Sequence, residues 1–98
     1  MTMLHLVNKS PFDGSSLNTA TSIMKPDDAL LLIEDGVYGA IKNNTSAAKL
    51  EGKNVSVLGP DLAARGLSED KLVDGVKIVD YAGFVDMVES NDKVQSWL

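Results

Sequence analysis

Cysteine is absent from this 98-residue chain, and histidine occurs once, at His5. Without a thiol there is no disulfide, no thiolate nucleophile, no iron–sulfur cluster and no zinc site built on sulfur. With a single imidazole a histidine-rich metal site is also excluded, and we expect neither a metal nor a cofactor. Basic residues are few: nine Lys and Arg against 14 acids give a net charge of −5 and a pI near 4.6. A protein that displaces counterions from phosphates clusters its cations. Here they are scattered, so no direct grip on nucleic acid is expected. No apolar run approaches the roughly 18 residues of a membrane span. The first seven residues lack the basic region and long apolar core of a signal peptide. A cytoplasmic location is the expectation.

What is present is a set of four short apolar runs, at 3–7, 29–33, 55–58 and 76–79. Each is nearly continuous rather than alternating, as in strands of a parallel sheet covered on both faces. Helical spacing fills the intervals. Leu17, Ala20, Ile23 and Met24 fall on one face, with Ser15 or Ser16 as cap. Val37, Ala40 and Ile41 repeat the pattern after Asp35, and Leu62 and Ala63 lie between Pro60 and Gly66. Tyr81, Phe84, Val85 and Val88 form the last stripe. Alternation of strand and helix predicts an α/β layer fold with right-handed crossovers and helices on both faces. The whole chain, 1–98, reads as a single domain. A domain of this size buries only about 60–70% of its unfolded surface, which leaves room for partner subunits.

Candidate sites each have a plain structural alternative. Glu34-Asp35-Gly36 ends an apolar run, where open α/β sheets gather ligands. A helix-capping acid with glycine for the tight turn explains it better than a metal or acid–base site. Gly59-Pro60-Asp61 could shape a phosphate site, but no GxGxxG or GxxxxGK[ST] accompanies it. His5 could be a general base. Inside a strand it reads instead as a core or interface residue with one satisfied nitrogen. Ser10, Ser15 and Ser16 lack an activating His-Asp pair at recognisable spacing. No catalytic residue is assigned.

The C-terminus is less ordinary. After the polar Asn91-Asp92-Lys93 the chain ends Val94-Gln95-Ser96-Trp97-Leu98 and so carries its only Trp next to an apolar last residue. Trp97 either folds back on its own sheet or anchors a subunit interface, where Trp is enriched. With Leu98 it heads the interface candidates, followed by Phe12, Tyr38 and Tyr81.

Five stretches, taken together, resemble the DsrH/TusB family of small sulfur-relay subunits. They are Leu4-His5-Leu6-Val7-Asn8-Lys9-Ser10-Pro11-Phe12, Ile33-Glu34-Asp35-Gly36-Val37-Tyr38-Gly39-Ala40, Val57-Leu58-Gly59-Pro60-Asp61-Leu62-Ala63-Ala64-Arg65-Gly66, Val79-Asp80-Tyr81-Ala82-Gly83-Phe84-Val85-Asp86 and the terminal Val94-Gln95-Ser96-Trp97-Leu98. They occur in family order over almost the whole chain. The resemblance implies a three-layer α/β/α fold with a small, mostly parallel sheet. It also implies a cytoplasmic heterohexamer with TusC/DsrF-like and TusD/DsrE-like sister subunits. Sulfur then passes as a persulfide on a sister subunit's cysteine to a small TusE/DsrC-like carrier. In the TusBCD branch the sulfur ends in the wobble 2-thiouridine of certain tRNAs; in the DsrEFH branch the complex serves sulfur oxidation.

Some DsrH-type members carry a cysteine in the first helix, at the place matched here by Ala20. Alanine cannot form a persulfide, since the thiolate is the nucleophile. That departure leans towards the TusB-type role. The wording of Asn8-Lys9-Ser10-Pro11-Phe12, Glu34-Asp35-Gly36-Val37-Tyr38 and Asp80-Tyr81-Ala82-Gly83-Phe84-Val85-Asp86 leans towards DsrH. The expected function is a non-catalytic subunit supporting tRNA thiolation, with sulfur oxidation as the alternative branch. A free-standing α/β protein that binds a small ligand at its acidic strand ends is the rival of another class.

Overall fold

Each predicted apolar run lies in a strand of one parallel sheet in the computed structural model, which describes residues 2–10, 16–42 and 47–97. The elements are β1 (Met3–Val7), α1 (Ser16–Ile23), β2 (Ala29–Leu32), β3 (Asn54–Leu58), α2 (Gly59–Ala64), β4 (Lys77–Val79), α3 (Tyr81–Ser90) and β5 (Lys93–Trp97). Short 3-10 segments occupy Glu34–Ala40, Ala47–Leu50 and Glu69–Lys71. The strand order is β4-β3-β2-β1-β5, and every pairing is parallel.

That order dictates how the layers fill. Three crossovers step from β1 to β4 in one direction, and right-handedness puts all three on one face. The single return from β4 to β5 goes the opposite way, so among the described elements α3 alone covers the other face. The first face holds the larger core: Val7, Leu30, Leu32, Val55 and Val57 of the sheet meet Leu17 and Ala20 of α1, Val37, Ala40 and Leu62. On the α3 face Leu4, Ala29 and Leu31 form a smaller buried cluster, with Phe84 and Met87 packed over them.

Four local expectations are corrected. On α1, Ile23 is exposed and Thr21 takes the buried place, its Oγ1 donating to the Leu17 carbonyl at 2.9 Å. Leu17, Ala20 and Thr21 lie closer together around the helix than Ile23 does. The turn after Asp35 is a seven-residue 3-10 helix, and Asp35 does not cap it. Gly36 and Gly39 weaken α-helix propensity there. They also let the segment lie tight on the Val7 carbonyl and the Leu17 side chain. The stripe of α3 is split, with Phe84 turned to the sheet and Tyr81, Val85 and Val88 to solvent. Strand β5 was not expected, because Lys93-Val94-Gln95-Ser96-Trp97 is an exposed edge strand without a continuous apolar run. Ser15 lies outside the described residues.

Candidate functional site

Strand β1 carries His5 on the face covered by α1, where its residue is 1% exposed. Asp28, the residue before β2, lies beside it and is 5% exposed. His5 Nε2 stands 3.0 Å from Asp28 Oδ2, and the Trp97 indole Nε1–H donates to His5 Nδ1 at 3.1 Å. The indole is a donor only. Nδ1 is therefore the acceptor, the ring proton sits on Nε2, and Asp28 receives it. The ring planes of His5 and Trp97 differ by 19°, which suits an in-plane N–H···N bond.

Asp28 also accepts the backbone N–H of Met3 at 3.0 Å and of Lys25 at 3.1 Å. Burial pushes its carboxyl up. The hydrogen bonds from His5, Lys25 and Met3 outweigh that and hold it below the ordinary carboxylate range. One buried carboxylate thus gathers the start of β1, the end of the α1–β2 connection and, through His5, the last strand. A cleft of about 210 Å³ touches this group from the amino ends of the strands, with Lys25 and Lys93 at its rim. Ligands of open α/β sheets sit at the opposite, carboxyl ends.

This arrangement does not favour acid–base catalysis. A general base must reach a substrate proton, and both nitrogens of His5 are already engaged in the interior. Trp97 lies along its own sheet: β5 pairs with β1, Val7 opposite Trp97, and the indole is half-buried. Trp97→Phe keeps the ring but leaves Nδ1 without its donor. It should cost about 1 kcal/mol, read by chemical unfolding of the isolated chain. Because Trp97 is the only Trp, its fluorescence in the unmutated protein reports directly on β5.

At the carboxyl ends, Glu34-Asp35-Gly36 joins β2 to the 3-10 turn and is tied to α2. The Glu34 N–H donates to Asp61 Oδ2 at 2.7 Å, and Arg65 Nε donates to Asp35 Oδ1 at 3.0 Å. The left-handed φ of this turn, 49°, falls on Glu34 rather than on the glycine. Gly36 is needed for space: a Cβ there would meet the Val7 carbonyl oxygen. Beside it Asn8 keeps Oδ1 buried and without a hydrogen-bond partner among the described residues. No group of three or more metal-ligating side chains occurs among the described residues. Nor is any helix among them long and apolar enough to cross a membrane.

The interface candidates are scattered. Tyr81 is exposed on α3, Tyr38 is half-buried in the 3-10 turn and Trp97 bonds to His5. Phe12 and Leu98 lie outside the described residues. Asp28 is not among the candidates read from the sequence. Its position directly before β2, with the one histidine on the neighbouring strand, was the available signal.

A family model described as "DsrH like protein" matches residues 9–94. The chain belongs to the DsrH family. Among curated relatives, Protein TusB of Buchnera aphidicola is 32% identical over 97% of this chain and 100% of that protein. Protein TusB of Escherichia coli K12 is 30% identical over the same shares. The crystal structure of ychN protein from E. coli superposes with a TM-score of 0.83 at 21% identity and covers 98% of each chain. The solution structure of protein Tm0979 from Thermotoga maritima gives a TM-score of 0.69 at 26% identity, covering 90% of this DsrH-family chain and 92% of that chain. The α/β/α layer fold expected from the sequence is the fold of these neighbours.

Proposed function

We propose that this DsrH-family chain is a non-catalytic subunit of a heterohexameric sulfur-relay complex in the cytoplasm, supporting 2-thiolation of the tRNA wobble uridine. The observation that carries the reading is the missing thiol in a family member related over its full length to TusB proteins. A chain without cysteine cannot hold a persulfide, so its contribution must be to assemble and position subunits that can. The engagement of His5 supports the same reading, since both nitrogens of the one imidazole are already hydrogen-bonded within the chain. The sister subunits would be TusC/DsrF-like and TusD/DsrE-like, with a TusE/DsrC-like carrier downstream. Trp97, Leu98, Phe12, Tyr38 and Tyr81 are the proposed contact positions.

The test is deletion of the gene for this chain, with the nucleosides of total tRNA measured by mass spectrometry. Loss of 2-thiouridine, restored by the wild-type chain, is the expected result. Unchanged 2-thiouridine with impaired oxidation of reduced sulfur would move the chain to the DsrEFH-type branch. Affinity purification supplies the second readout. Two small sister chains in equal amount are expected, whereas a solitary stable monomer would overturn the subunit reading. In the assembled complex Trp97→Ala should weaken association by about 2 kcal/mol or more if the indole is an interface anchor. The Trp97→Phe variant separates that loss from the loss of the His5 bond.

A further inference from the structure

Among the described residues helix α3 is the sole cover of one face of the sheet, yet none of its residues is buried. Its outward stripe is apolar: Tyr81, Val85 and Val88, spaced i, i+4 and i+7, are 60%, 54% and 38% exposed. The sheet beneath is unfinished at its β5 edge. Val94 pairs with Leu4, whose side chain belongs to the α3 face, and Val94 is 42% exposed. Isolated apolar residues on a surface need no explanation, but a contiguous stripe on one helix beside an open sheet edge does.

Charge decides what can cover it. Residues 80–92 contain Asp80, Asp86, Glu89 and Asp92, all exposed, and no Lys or Arg. That segment carries −4 of the net charge of −5, so the rest of the chain together carries only −1. A second copy docking through α3 would set −4 against −4 around an apolar contact, and like charges facing across an interface suppress association. A chain of opposite sign gains on both counts.

We propose that α3 is a docking surface for a different protein chain, which lays an apolar patch on Tyr81, Val85 and Val88 and rings it with Lys and Arg opposite Asp86 and Glu89. This rests on the subunit reading above, in which the docking chain is one of the sister subunits. Attraction between complementary rims speeds encounter and weakens with salt, whereas the apolar centre holds the pair together.

The experiment is co-expression of the tagged chain with its two sister subunits and purification of the complex at low and high salt. Two variants are compared with wild type: Tyr81→Ser/Val85→Ser, and Asp86→Lys/Glu89→Lys. All four positions are exposed, so each variant chain should unfold at the wild-type midpoint on its own. The expected result is a 1:1:1 complex for wild type and about tenfold or greater loss of sister-subunit retention for both variants. For the charge reversal that loss should be larger at low salt. Full retention in both variants would overturn the docking surface and leave the subunit reading standing. Failure of the wild-type chain to bind either sister subunit would overturn both. Self-association of the wild-type chain that Tyr81→Ser/Val85→Ser abolishes would assign α3 to a second copy and overturn the choice of partner.

Discussion

Asp28→Asn should lower the stability of this protein by about 2–3 kcal/mol and remove Asp28's share of its loss of stability in acid. Asp28 accepts three hydrogen bonds in the interior, from Met3 N, Lys25 N and His5 Nε2. An amide offers one oxygen where the carboxylate offers two. At least one buried N–H then faces an NH₂ donor, and each unsatisfied group costs about 1–3 kcal/mol. The pH effect has a definite sign. The folded carboxyl is held below its ordinary value near 3.8, so the unfolded chain binds a proton more readily. The stabilisation is complete above the unfolded value, and it is lost as pH falls towards and through the lower folded value. Chemical unfolding between about pH 7 and pH 3 measures both effects. A wild-type acid limb that persists unchanged in the variant would assign it to other carboxylates.

Gly36→Ala should be at least as damaging, at about 3 kcal/mol or more, the upper range for overpacking. The added Cβ would stand 2.2 Å from the Val7 carbonyl oxygen and 3.0 Å from its carbon. These are backbone atoms, so no side-chain rotation relieves the clash. The same carbonyl accepts the Ile33 N–H at 3.0 Å. Displacing it therefore opens the carboxyl ends of β1 and β2 together. Glu34→Gly is the informative control. A left-handed residue other than glycine costs about 1–2 kcal/mol, and the greater chain entropy of glycine offsets about 0.5–1 kcal/mol of the relief. That variant should be neutral or slightly more stable. If urea unfolding ranks the two variants the other way round, Gly36 serves backbone freedom and not close approach.

The contrast between these neighbouring positions marks how far the sequence could be read. Glu34-Asp35-Gly36 was legible as the junction of a buried strand with a turn, because an apolar run stops there at acids and a glycine. The division of labour inside it was not. Which residue takes the left-handed φ and which lies against Val7 depends on a strand 29 positions earlier in the chain. The α3 stripe shows the same limit. Its i, i+4, i+7 spacing is plain in the sequence. Periodicity fixes that a helix has an apolar side, but the axis on which it lies over the sheet fixes which residues touch it.

By itself the sequence determined the parallel α/β class, the four apolar strands and the family, since continuous apolar runs and ordered motifs are local signals. It also determined that this chain cannot form a cysteine persulfide, because that needs only a count of cysteines. Tertiary structure decided the rest: the fifth strand, the His5–Asp28–Trp97 connection and the single-helix cover of one face. The physical reason is sequence separation. Trp97 meets His5 across 92 positions, and no local propensity encodes a pairing that exists only once β5 lies beside β1.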